Sequence, residues 1–183
     1  MIPQLRSTKA LIVGKGPGWE NTREFLASDF NIWTIPQSYS NLETLCNKRI
    51  DLVFEVHEPR LWKKKRAILY RVNQWNPPKL IVPSSVEGWT NNSYSLPVKE
   101  LQSLGLPLLN SFAWMIAYAI HRGITSIAFR GVNLDFAQEA DHERDGLMFL
   151  LGYLKASGII LDVERTSGLV RNNGILLTSE GKE

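Results

Sequence analysis

The chain has 183 residues, 44% of them hydrophobic and 21% charged, the balance of a globular protein with enough apolar mass for a core. Its 21 Lys+Arg against 18 Asp+Glu leave a net charge of only +3, which does not call for specific nucleic-acid binding. The single cysteine, Cys46, excludes an intrachain disulfide.

Taken in chain order, the expected elements alternate. Short apolar runs fall at 10–13, 31–35, 52–56, 80–82, 126–129 and 159–163. Such near-continuous runs mark strands covered on both faces, hence a parallel sheet. Helices are expected between them at 21–28, 41–47, 61–74, 98–104, 111–122 and 144–156. Ser111 supplies a helix start signal, and Gly123 and Gly158 sit where glycine ends a helix. The alternation predicts an α/β, Rossmann-like, doubly wound fold, with a mostly parallel sheet of five or six strands and helices on both faces. Residues 1–183 read as one domain with a loop-rich excursion at about 77–107, which holds five of the nine prolines. The dense basic run Arg60 to Arg66 spreads around a helix and reads as a solvated face.

The N-terminus shows no signal-peptide pattern, and the longest apolar stretch, ending at His121, falls short of the ~18–20 residues of a membrane span. A soluble, cytoplasmic protein without membrane contact is expected.

The polar residues gather after the strands. Gly14, Lys15, Gly16, Pro17 and Gly18 follow the first strand. Glycines there allow close backbone approach, a following helix N-terminus favours an anion, and Lys15 adds positive charge. Trp19 stands where the dinucleotide fingerprint needs glycine, and the P-loop spacing is also absent, so the turn is neither standard motif. A tight turn without a ligand stays open as a reading. Later strand ends bring His57 and Glu58, then Asn110 and Ser111, then Arg130, Gly131, Asn133 and Asp135, and finally Glu139, Asp141, His142, Glu143 and Arg144. In a doubly wound sheet these share one rim, where ligands bind.

The order of these segments resembles a group of uncharacterised phage and prophage proteins, from about Lys9 to Val170. The shared features are the glycine–proline turn, a Phe-Glu-x-His strand end, a Ser-led helix and a Gly-x-Asp/Asn strand end. More distantly the order is similar to the bacterial sialyltransferases that use CMP-sialic acid, and to the archaeal 6-hydroxymethylpterin diphosphokinase group. Against the sialyltransferase pattern, Gly14, Gly16, Pro17, Gln37, Ser111 and Gly131 match. Lys15, Gly18 and Asn110 depart from it, and Asn133 replaces an Asp. The tyrosine pair and the catalytic His segment of those enzymes have no clear counterpart. This resemblance implies a nucleotide or nucleotide-sugar ligand.

Two readings remain. In the first, residues 14–18 hold phosphates, Gln37, Asn110, Ser111, Gly131 and Asn133 line the nucleotide, and His57 or His142 handles a proton, because imidazole titrates near neutral pH. Arg144 would clamp a phosphate in two-pronged fashion. If enzymatic, the protein would be a glycosyl- or phosphoryl-transferase. In the second, it is a non-catalytic phage accessory protein that kept the fold. Trp62, Trp75 and Trp89 would then offer a surface for a protein partner or a second copy, or equally cap the sheet edge. A metal hydrolase built on His57, Asp141, His142 and Glu143 fits no metal spacing, so no metal is expected.

Overall fold

The computed structural model describes residues 3–46, 49–57, 79–83, 93–132 and 141–164. Its strands are β1 (Lys9–Val13), β2 (Asn31–Thr34), β3 (Leu52–Phe54), β4 (Lys79–Val82), β5 (Ser93–Ser95), β6 (Ser126–Arg130) and β7 (Ile160–Val163). All pair in parallel in one sheet of order β5-β4-β3-β2-β1-β6-β7. The Rossmann-like α/β architecture is as the alternation predicts. The sheet has seven strands rather than five or six. The additional one is β5, three partly buried residues inside the proline-rich excursion. It lacks an apolar run and becomes a strand by pairing with the edge of β4, a non-local cause.

Between the strands lie a 3-10 helix, η1 (Trp19–Phe25), and the α-helices α1 (Pro36–Cys46), α2 (Val98–Gln102), α3 (Ser111–His121) and α4 (Asp141–Ala156). The expected helix at 21–28 is thus a shorter, earlier 3-10 segment. Helix α1 starts five residues before the expected 41–47, because Pro36 occupies its first position, where a preset φ and a missing N–H carry no penalty. Asn110, not Ser111, caps α3: its side chain accepts the Ala113 N–H at 2.9 Å, and Ser111 is the first helical residue. Gly123 and Gly158 adopt φ of 68° and 77° just beyond α3 and α4, as glycines that end helices do. The expected helix at 61–74, the basic run, and Trp62, Trp75 and Trp89 lie outside the described residues.

The alternation of side chains along the strands builds two cores. Ala10, Ile12, Trp33, Phe54, Ile127 and Phe129 face α2, α3 and α4. Leu11, Val13, Ile32, Val53, Leu80 and Ala128 face η1 and α1. At the centre of the first core Trp33, Phe54 and Tyr118 meet with ring centroids 5.3–5.7 Å apart. Such offset and edge contacts contribute about 0.5–1.5 kcal/mol per pair beyond burial. No helix among the described residues is long and apolar enough to cross a membrane.

Candidate functional site

The chain steps from β1 outward to β5, then returns to the other side of β1 for β6 and β7. The reversal puts a switch point between β1 and β6, where an open α/β sheet leaves a crevice beyond its strand ends. Residues 14–18 leave β1 there, and Gly131 leaves β6 beside them. The two turns interlock. Gly14 donates its N–H to the Arg130 carbonyl at 2.9 Å, and Gly16 donates to the Gly131 carbonyl at 2.8 Å.

A turn that held phosphates with its backbone would aim its N–H groups at the cleft. Those of Gly14 and Gly16 are turned inward, onto the end of β6. The glycines have a packing reason as well. A Cβ on Gly14 would overlap the Gly131 carbonyl oxygen and press on the Phe112 ring of α3. Gly131 has φ +62°, and a Cβ there would stand 2.7 Å from Trp19 Cβ and 2.8 Å from the Gly16 carbonyl oxygen. Gly18 has φ +89° at the entry to η1, with the Glu164 carboxylate packed against it. Glu164 Oε1 accepts from Asn21 Nδ2, and its Oε2 is buried without a hydrogen-bond partner among the described residues. Lys15 and Pro17, in contrast, are exposed.

Helix α3 begins beside this turn, as the Phe112 contact shows. Asn110 reaches from its cap across to α4, where Nδ2 donates to the Glu143 carbonyl at 3.4 Å. Gln37 and Ser38 lie in the first turn of α1, after β2. Gln37 is half-buried, and the buried Ser38 hydroxyl has no hydrogen-bond partner among the described residues. Beyond β3, His57 is half-buried, with its Nδ1 2.5 Å from Glu55 Oε1.

The structure therefore brings Gly14, Gly16, Gly18, Gly131 and the α3 start together directly, and Gln37 and His57 lie after neighbouring strands of the same rim. Across two strand spacings of about 4.8 Å, β3 stands roughly 10 Å from β1. On the other side of the switch point, Arg144 lies half-buried in the first turns of α4, and its side chain makes no hydrogen bond or ion pair with another described residue. His142 occupies the first turn of α4, its side chain outside the described part, as are Asn133, Asp135, Glu139 and Glu58 altogether. No group of three or more His, Cys, Asp or Glu among the described residues is arranged to hold a metal ion.

Sequence reasoning gave no role to Glu55, Ser38 or Glu164. Glu55 is 1% exposed, and a carboxylate inside the apolar run Leu-Val-Phe-Glu-Val was the available signal. Ser38 and Glu164 gave no such signal. Arg130, noted only as a rim residue, is buried. It bonds Asp162 at 2.9 Å and the Phe129 carbonyl at 2.8 Å, and lies 4.8 Å from the Phe25 ring centroid. Its guanidinium is therefore engaged inside the fold beneath η1.

A seven-stranded parallel sheet with helices on both faces and a reversal of strand order between β1 and β6 defines a protein of Rossmann-like α/β class. No family model matches the chain, and no curated protein matches it. Its fold is similar to that of the sialyltransferase CstII from Campylobacter jejuni, solved in complex with a substrate analogue, cytidine-5′-monophosphate. The superposition covers 93% of this chain and 85% of that one, with a TM-score of 0.58 and 18% identity. At that identity the likeness is one of fold.

Proposed function

We propose that the protein binds a nucleotide or nucleotide-sugar at the rim crevice between β1 and β6 and transfers the sugar to an acceptor. The observation that carries this reading is the convergence of the glycine turn, the start of α3 and the β6 end at the topological switch point. The fold likeness to an enzyme solved with CMP supports it. Because the Gly14 and Gly16 N–H groups are bonded within the fold and the Glu164 carboxylate packs against Gly18, phosphate contacts fall to the exposed Lys15 on the outer part of the turn. Gln37, Ser111 and Asn133 would line the base and ribose. His57 would take the acceptor's proton, with His142 and Arg144 approaching from α4. The motif order shared with phage and prophage proteins points to a phage-type source and a host cytoplasm.

The inward-turned glycine N–H groups favour one alternative, an accessory protein that kept the fold without the chemistry. A thermal-shift panel of nucleotides and nucleotide-sugars, CMP among them, separates the two. A ligand at about 100 times its dissociation constant stabilises the native state by roughly 2.7 kcal/mol. Gly16→Val, which sets a branched side chain in the turn, is expected to abolish that shift while the circular dichroism spectrum stays close to wild type. A flat panel with wild-type protein supports the accessory reading, and a shift unchanged in Gly16→Val removes the glycine turn from the site.

A further inference from the structure

Glu55 continues the line of β3, its N–H bonded to the Ile81 carbonyl at 2.9 Å. Its side chain is 1% exposed, whereas that of His57, two residues on, is 40% exposed. Burying a carboxylate is costly unless strong donors meet it. Here Oε1 accepts from the His57 backbone N–H at 3.0 Å and stands 2.5 Å from His57 Nδ1. The backbone bond alone would serve to hold the strand end. The ring bond adds something a strand end does not need. A neutral imidazole has one donor nitrogen and one acceptor nitrogen, and an acceptor facing Nδ1 places the proton there and the lone pair on Nε2.

The structure assigns Glu55 as the positioning residue of His57: the buried carboxylate holds the imidazole in its Nδ1–H form, so that Nε2 is the proton-accepting atom at the rim. The use of that nitrogen rests on the transferase reading above; the state of the ring rests on the geometry of the pair. In the transfer, the acceptor hydroxyl proton passes to Nε2 as its oxygen bonds to the sugar carbon. The bond from that carbon to the nucleotide phosphate oxygen breaks, and the phosphate leaves with the bonding pair. Glu55 balances the imidazolium charge without taking the proton, as a buried carboxylate does behind a catalytic histidine.

The test uses the full chain labelled with 15N-histidine, and multiple-bond proton–nitrogen spectra at a pH where the rings are neutral. His57 is assigned by its loss in His57→Asn, and the exposed His121 serves as internal reference. The expected result is a predominantly Nδ1–H ring at His57 in the wild type. The Nδ1–H fraction should fall in Glu55→Gln and fall further in Glu55→Ala, with His121 unchanged in all three. An Nε2–H ring at wild-type His57 overturns the assignment without any variant being needed. Equal tautomer fractions in wild type and the isosteric Glu55→Gln, with Glu55→Ala also unchanged if it folds, overturn it too. A flat nucleotide panel beside an Nδ1–H ring at His57 supports the positioning role and removes only the transferase reading.

Discussion

The two faces of the sheet are built from the same strands but filled differently. The face under α2, α3 and α4 is closed by an aromatic cluster and the small residues of α3, Ala113, Ala117 and Ala119. The face under η1 and α1 carries most of the buried polar side chains. Thr34 bonds the Val13 carbonyl at 2.9 Å, Arg130 pairs with Asp162, and Ser38 in α1 and Glu55 in line with Val53 are each 1% exposed. Each of these polar residues lies toward the strand ends where the candidate site sits. The lesson is a division of labour: one layer supplies the apolar burial that stabilises the fold, and the other tolerates buried polar groups near the rim.

The largest expected effect tests the apolar layer. Trp33→Ala removes the ring shared by Phe54 and Tyr118 and should lower stability by about 3–5 kcal/mol, read from the urea midpoint. A loss below 1 kcal/mol would break the comparison, by showing that the aromatic cluster is not what closes this face.

Alkaline pH tests the thinner layer. Burial pushes the Cys46 thiol from 9.0 up to about 11, against a smaller opposing pull from Arg49. The folded state therefore favours the neutral thiol. This group's contribution is fully present below pH 9 and falls away as the pH rises from 9 to 11. The loss should reach about 3 kcal/mol. Cys46→Ala should flatten most of that slope in chemical unfolding. A residual slope above pH 10 is expected from Tyr118, whose phenol is also raised by burial against the pull of Arg122. An equally steep loss in Cys46→Ala would place the alkaline sensitivity elsewhere.

The glycine pair Gly131 and Gly123 sharpens the comparison at the rim. Their φ values, 62° and 68°, are nearly equal, but a Cβ at Gly123 meets nothing within 4 Å. Gly123→Ala should cost only the left-handed strain, about 1–2 kcal/mol. Gly131→Ala should add about 1–3 kcal/mol of overpacking against Trp19 and the Gly16 carbonyl. Equal melting temperatures for the two variants would mean that the interlocked turns yield easily.

The smallest effect runs in the opposite direction. Ser38→Ala removes a buried hydroxyl that has no hydrogen-bond partner among the described residues, and should stabilise the protein by about 1 kcal/mol. A polar group kept at such a cost beside the rim fits a site rather than a core. A destabilised Ser38→Ala would remove that argument.

Legibility in the sequence followed the range of the forces involved. Strands β1, β2, β4, β6 and β7 could be read from apolar runs, and the ends of α3 and α4 from Gly123 and Gly158, because these signals are local. β3 was read as well, but its run continued to Val56 and hid a buried carboxylate within it. Strand β5 could not be read, since Ser93, Tyr94 and Ser95 form a strand only where β4 offers an edge. The start of α1 was missed although Pro36 is a local signal for a first helical position, because the apolar side chains that anchor that turn, Tyr39 and Leu42, take their meaning from packing on the sheet.

At the candidate site, the sequence by itself determined which residues follow which strand, and so put the glycine turn, Gln37, His57, Ser111 and Gly131 on one rim of any doubly wound sheet. Only the tertiary structure decided what those residues do there. It directed the Gly14 and Gly16 N–H groups to carbonyls of β6, made Asn110 rather than Ser111 the cap, buried Arg130 against Asp162, and sealed Glu55 behind His57. A run of apolar residues announces a strand whatever surrounds it. The partner of a polar group, and the water it loses, depend on which strand comes to lie beside it, and β1 and β6 are separated by more than a hundred residues.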